Sequence, residues 1–195
     1  MKTWITADLH LGHANLIKGT SKWRDTSKCR NFNTIEEHDN HVLSQLNKYV
    51  EKDDILIIVG DVMFGDKNKL VPFVQNLLCT DIHLIYGNHD EFIREDRNLK
   101  WEKHHASAQS CFKSIKERDS FYVYNQKVII DHYPIEKGCW DDCTKGSVMI
   151  HGHVHGNLHD RQVRGRIDVG WDSSLLYFNE YRPFTLDEAI ELSII

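Results

Sequence analysis

Apolar residues along this chain gather in short runs that stop abruptly at polar residues of a restricted kind. Lys2–Ala7 (KTWITA) ends at Asp8, Ile55–Val59 (ILIIV) at Gly60-Asp61, and Ile82–Tyr86 (IHLIY) at Gly87-Asn88-His89-Asp90. Val128–Ile130 runs into Asp131-His132, and Val148–Ile150 into His151-Gly152-His153. Runs this short and rich in β-branched residues predict buried strands. Helices fit between the first three. Thr34-Ile-Glu-Glu37 is a capping-box signature, with Thr34 expected as N-cap and Glu37 reaching back to its amide. The segment that follows sets Ile35, Val42, Leu46 and Tyr49 near one face at helical spacing. Lys69–Leu78 predicts a second helix, with Pro72 tolerated in its first turn. Strand–helix alternation implies right-handed crossovers and an α/β sheet.

The second half is richer in strands. Phe121–Tyr124 and Val128–Ile130 predict a hairpin across Asn125-Gln126-Lys127, and Arg166–Val169 and Leu175–Phe178 two further short strands. Thr185-Leu-Asp-Glu188 is another capping box and opens a C-terminal helix. A two-sheet core with helices outside accommodates both halves.

The chain has 195 residues, which fits a single domain over residues 1–195, since domains usually hold roughly 100–200. Hydrophobic residues at 41% suffice for a packed core. There is no apolar stretch of ~18 residues and no signal-peptide h-region near the start, so no membrane association is expected. Five cysteines (Cys29, Cys79, Cys111, Cys139, Cys143) at irregular spacing argue against a disulfide framework and for a reducing cytoplasm. Cys139 and Cys143 are spaced for a zinc site with neighbouring histidines or are plain loop thiols. A formal net charge of −5 weakens any case for extended nucleic acid as partner. It leaves room for a nucleotide, because bound cations make a site positive whatever the chain's balance.

Thirteen histidines change the picture by their positions. Asp8 and His10 stand two apart, as do His153 and His155, so each pair points one way in an extended segment. Asp61 and Asn88 each follow a glycine, and His132 closes another apolar run. In open α/β sheets ligands bind outside the carboxyl ends of the strands, so five strand ends converge on one crevice lined with Asp, His and Asn. Taken singly, Asp-x-His and Gly-Asp are ordinary loop and turn pairs; their joint occurrence after every strand is the signal. Mixed nitrogen and oxygen donors without thiolate suit manganese, with iron, zinc or nickel as alternatives. Seven side chains exceed one ion's needs but match two ions sharing a carboxylate. Such ions lie about 3.5–4 Å apart, lower the pKa of water to about 7 and neutralise a phosphoryl group during in-line attack.

The set Asp8-Leu9-His10, Gly60-Asp61, Gly87-Asn88-His89-Asp90, His132 and Gly152-His153-Val154-His155 resembles the calcineurin-like metallophosphoesterases, over residues 8–155. The resemblance implies a four-layer α/β/β/α sandwich of two mixed sheets with a dinuclear centre. By that likeness Asp8, His10 and His155 hold the first metal and Asn88, His132 and His153 the second, with Asp61 bridging. His89 contacts the phosphate and protonates the leaving oxygen, and Asp90 orients it. An imidazole with a carboxylate partner is a competent general acid near neutral pH. The stretch Asp8-Leu-His-Leu-Gly-His13 resembles short bacterial and phage members, in which His13 reaches the phosphate pocket. Asp168-Val169-Gly170 stands where the family often has Asn-Val-Gly, so no role carries over to Asp168. Asp131 is expected to face away from His132 and to serve structure.

Residues 18–30 hold five basic residues (Lys18, Lys22, Arg24, Lys28, Arg30) against Asp25. Trp23 offers a base a stacking surface while Arg24 meets a phosphate; a solvated loop is the alternative. Residues 94–118, with Trp101 and His104-His105, form a lid, a helical insertion or a surface excursion. Trp140 either walls the pocket or packs in the core. Together these readings point to a metal-dependent hydrolase of a small phosphate ester, a nucleotide or a cyclic phosphate. The competing readings are a nuclease for single-stranded nucleic acid and a non-catalytic metal-binding module. The latter's mark would be a missing ligand or missing general acid, and neither is missing.

Overall fold

The computed structural model describes residues 1–94, 102–140, 146–157 and 163–194. Trp101 and Cys143 lie outside them. The chain folds as β1 (Thr3–Thr6), α1 (Ile35–Tyr49), β2 (Ile55–Val59), α2 (Leu70–Gln75), β3 (Asp81–Ile85), α3 (Glu102–Gln109) and β4 (Ser114–Lys116). Then come β5 (Arg118–Val123), β6 (Gln126–Asp131), β7 (Val148–His151), β8 (Arg166–Asp168), α4 (Trp171–Phe178), β9 (Phe184–Thr185) and α5 (Leu186–Ile194).

Two mixed sheets face each other. The first runs β4-β3-β2-β1-β9, parallel except for β9; the second runs β5-β6-β7-β8, parallel except for β5. Side chains alternate along each strand, and the burial follows that rule. Trp4, Leu56, Ile58, Ile82 and Leu84 turn outward to meet Val42 and Leu46 of α1, Leu70 of α2 and Ala108 of α3. Ile5, Ala7, Val59 and Ile85 turn inward to meet Val128, Ile130, Val148, Ile150 and Ile167 of the second sheet. The outer face of that sheet is covered thinly, by Trp140 and Ile135 over Ile129 and Met149. This is the α/β/β/α sandwich expected from the sequence. Trp140 therefore belongs to the core, its Nε1 donating to the Ile135 carbonyl at 3.0 Å, and it is not among the residues that line the cavity beside the strand ends. No helix among the described residues is long and apolar enough to cross a membrane.

Four local expectations change. Leu175–Phe178 is not a strand but the end of α4, which starts after Gly170 and stops at Asn179 in the left-handed region (φ 53°). Four consecutive apolar residues have no period that separates the two states. The hairpin turns more tightly than expected, on Tyr124 and Asn125 alone, both left-handed (φ 49° and 63°), with Val123 paired to Gln126. That is the backbone twist a two-residue connection needs. Glu37 accepts the amide of Asn33 (2.8 Å), one residue before Thr34, while Thr34 Oγ1 accepts that of Glu37 (3.1 Å). Within residues 94–118, α3 is the crossover to β4, the edge strand beside β3, so the described part of the segment is framework rather than a lid.

Candidate metal centre

The carboxyl ends of β1, β2, β3, β6 and β7 open onto one crevice, and backbone hydrogen bonds fuse their loops. Asp8, His10 and Leu11 amides donate to the carbonyls of Gly60, Asp61 and Val62 at 3.0 Å each. Gly152 donates to His132 at 3.1 Å. Ala7 exchanges bonds with Val169 (3.1 Å) and Trp171 (2.8 Å), tying the first sheet to the end of the second. Glycine makes this approach possible. A Cβ on Gly60 would collide with His132 Nδ1, and one on Gly152 would lie 2.5 Å from Ala7 Cβ and 2.7 Å from Asp8 Oδ2.

The backbone here is strained in a telling way. Among the described residues, eight non-glycine residues have positive φ, and five of them are Asp8, His10, Asp61, His153 and His155. Such conformations are uncommon and cost about 1–3 kcal/mol each. Neither a hairpin nor a helix end explains them, unlike the other three.

The donor atoms form two overlapping groups. One ligand atom each from Asp8, His10 and His155 lies within 4.8 Å of the others, and so does one each from Asp8, Asp61 and His132. Asp61 Oδ2 sits between them, 3.6 Å from His10 Nε2 and 3.5 Å from His132 Nε2. Asn88 Oδ1 lies 3.1 Å from His132 Nε2 and 3.0 Å from His153 Nδ1. All seven side chains singled out in the sequence thus meet.

Proton placement shows what the cluster lacks. His155 Nδ1 faces the Asp172 carboxylate at 2.7 Å and His132 Nδ1 faces the Val59 carbonyl at 2.8 Å. Both partners only accept, so both Nδ1 atoms carry the proton and both Nε2 atoms are bare in the neutral ring. Yet His155 Nε2 points at His10 Nε2 across 3.2 Å, and His132 Nε2 points at two oxygens. Asp8 Oδ1 is buried without a hydrogen-bond partner. Bare imidazole nitrogens and a buried carboxylate oxygen without a hydrogen-bond partner, gathered in one place, suit a bound metal. Burial pushes Asp8 well above the usual carboxylate range, and the Asp168 and Asp61 carboxylates push it further. Burial likewise pushes His10 and His153 down.

Residues 1–165 match the family model for calcineurin-like phosphoesterases. The chain belongs to the calcineurin-like phosphoesterase family. Membership indicates metal-dependent phosphoesterase activity. This phosphoesterase is 27% identical to an uncharacterised protein of Methanocaldococcus jannaschii, over 98% of this chain and 90% of that protein. It is 25% identical to the gene 66 protein of Mycobacterium phage L5, over 86% of each. A protein of unknown function from Aquifex aeolicus shares the fold, with a TM-score of 0.64 at 20% identity over 98% of each chain.

Two expectations for this phosphoesterase need correcting. Asp90 does not orient the His89 ring; its carboxylate is taken up by the amides of Asp61 (2.9 Å), Val62 (3.1 Å) and Gly87 (2.8 Å). A buried carboxylate with three backbone donors clamps two loops together. Arg30 is not a solvated loop residue but is 1% exposed. It donates to the carbonyls of Asp8 (2.6 Å) and Leu9 (2.7 Å), and its Nε and Nη2 grip Asp172 at 2.9 Å each. Asp131 behaves as expected, bound by Arg118 Nε at 2.8 Å. Asp168 accepts from Gly156 (2.8 Å), Gly170 (2.7 Å) and Ser173 Oγ (2.6 Å), holding the His153–Gly156 loop.

Of the residues expected to meet substrate, Asn88, His89 and His13 are at the centre. His13 stacks on Phe64 with ring centroids 3.9 Å apart, and Phe64 meets His89 edge-on at 4.9 Å. Trp23 lines a cavity of about 530 Å³ that opens beside the donors. Arg24 is exposed and does not line it. Asp172 carries no mark in the sequence because Leu175–Phe178 reads as a strand and hides the helix that begins before it; an acidic residue in a first helical turn is its only signal.

Proposed function

We propose that this chain hydrolyses phosphate monoesters or diesters at a dinuclear centre, with Asp8, His10 and His155 for one cation, Asn88, His132 and His153 for the other, and Asp61 shared. The observation that carries the reading is the gathering of the bare His132 and His155 Nε2 atoms, the His10 ring and the Asp8 oxygen without a hydrogen-bond partner around Asp61 Oδ2. Bound there, two divalent cations such as manganese supply the positive charge and the activated water that attack on a phosphoryl group requires.

The chain's own groups do the rest. His89, with a side chain 37% exposed and Nε2 3.9 Å from Asp61 Oδ2, stands at the mouth, where it can hand a proton to the leaving oxygen. Its amide donates to Asp61 Oδ1 at 2.8 Å, fixing the turn that carries it. His13 is pushed down to about 4 by burial and by the neighbouring His89 and Arg30. It is therefore neutral near pH 7 and serves a phosphate oxygen as a hydrogen-bond donor. Asp90 sets the distance between the loops that carry Asp61 and Asn88.

Substitution of Asp61→Ala is expected to abolish manganese-dependent release of p-nitrophenol from p-nitrophenyl and bis-p-nitrophenyl phosphate. Undiminished turnover in that variant overturns the reading. Mononucleotides assayed beside single-stranded oligonucleotides separate a small-ester hydrolase from a nuclease.

A further inference from the structure

The cavity beside the centre is one-sided. It reaches the His10, His89 and His155 rings, while Asn88, His132 and His153 do not line it. A phosphate at the donors therefore has a walled space on the flank where His89 stands. The residues beyond His89 have a distinct chemistry. Leu16, Leu175 and Tyr181 line it with apolar surface, and so does Trp23, 49% exposed, with its ring 6.2 Å from His13. At the open end Lys28 Nζ is held by Asn157 Oδ1 at 2.7 Å, tying the loop after β1 to the loop after β7.

We infer that this cavity is the leaving-group pocket and that it selects esters of alcohols that carry a flat aromatic ring, a nucleoside or an aryl alcohol, over esters of small aliphatic ones. The inference rests on the hydrolase reading for one point only, the role of His89: the group that protonates the leaving oxygen marks the side on which the alcohol lies. The rest is packing. About 530 Å³ falls within the roughly 300–1,000 Å³ of sites that enclose a ligand of nucleoside size, and an ethyl group leaves it nearly empty. A half-exposed indole in a cavity that leucine side chains also line accepts a flat ring on its face, and such stacking tolerates any base. Lys28 is free to turn from the neutral Asn157 amide to an acidic or carbonyl group on that ring.

The test measures phosphate release from a nucleoside 5′-monophosphate, phenyl phosphate and ethyl phosphate, and alcohol release from their methyl diesters. Each is run with the manganese-loaded wild type, with Trp23→Ala and with Leu175→Trp, which narrows the cavity. The change in the aromatic-to-ethyl ratio of kcat/KM from wild type to variant cancels the intrinsic reactivity of each ester. Both variants are expected to lower that ratio about tenfold, the scale of one lost stacking contact. A fall confined to the nucleoside or to the phenyl ester assigns the pocket to that alcohol. Ratios unchanged in both variants overturn the inference and leave the hydrolase standing. If no ester is turned over with manganese, iron, zinc or nickel, the hydrolase reading fails instead. Saturable quenching of tryptophan fluorescence by the free nucleoside or by phenol, lost in Trp23→Ala, then supports the pocket, and no quenching by either overturns it.

Discussion

The Asp172 carboxylate takes His155 Nδ1 on one side and both arms of the Arg30 fork on the other. Burial alone would push this carboxyl up, but the Arg30 charge and the His155 bond outweigh it and hold it well below the usual range. It is thus a full anion at any working pH. A carboxylate behind a ligating imidazole fixes the ring's tautomer and strengthens its free nitrogen as a donor. The chain continues through Arg30 Nη1 to His38 Nε2 (2.8 Å) and from His38 Nδ1 to Asp39 (2.8 Å), which accepts the Gly12 amide. Asp172→Asn is expected to weaken manganese binding about 10–100-fold by calorimetry, the usual effect of losing such a partner. It also leaves Arg30 buried with half its compensation, so a loss of roughly 3 kcal/mol in denaturant stability should accompany it. Unchanged manganese affinity would show that Asp172 serves only the fold.

Two capping boxes with the same sequence signature differ at the level of the element. At α5 the reciprocity closes: Thr185 Oγ1 accepts the Glu188 amide at 3.1 Å and Glu188 Oε2 accepts the Thr185 amide at 2.8 Å. Arg182 pins the same glutamate at 2.8 Å. At α1 the glutamate reaches past its partner to Asn33, in an exposed setting. Thr185→Ala is therefore expected to cost about 1–2 kcal/mol and Thr34→Ala nearer 0.5–1 kcal/mol. Denaturant melts of the two variants side by side check the order, and a larger loss at Thr34 contradicts it. The signatures themselves were legible, as were the strands whose apolar runs are cut off by the residues that carry the chemistry; Leu175–Phe178, which has no such stop, was not. For the same reason the meeting of these seven side chains was legible: each lies in the loop after a strand, and the parallel topology brings those loops together. Partners supplied through space were not. Arg30 reads as surface because charge is the only local clue to exposure, and Asp172, Asn157 and Tyr181 carry no mark of the cavity they line. The family likeness pairs Asp90 with His89, whereas the turn sends its carboxylate back to the amides of Asp61 and Gly87.

At the scale of the whole molecule, the centre sits where the two sheets are joined through Ala7, Val169 and Trp171. Four carboxylates, Asp8, Asp61, Asp90 and Asp168, are buried around that seam. Asp90 and Asp168 are offset by backbone and hydroxyl donors. Asp8 is offset only in part, one oxygen taking the His153 amide at 2.8 Å and the other having no partner. Buried charge without compensation destabilises the folded chain, and the left-handed backbone at five donors adds to the cost. Cations that bind the folded chain but not the unfolded one reverse this by linkage, worth about 2.7 kcal/mol per site at a hundredfold excess over Kd. For a chain of this size each kcal/mol moves Tm by roughly 2–4 °C. Manganese added to chelator-treated protein is therefore expected to raise Tm by about 5–10 °C for each site filled. Asp8→Asn gives the opposite signs in the two states: it removes the uncompensated charge and so raises Tm of the metal-free protein, while it abolishes most of the manganese-induced rise. Stability that rises with manganese equally in wild type and Asp8→Asn, or that ignores the metal in both, would mean that the seam between the sheets is stable by itself and that the buried carboxylates there await no cation.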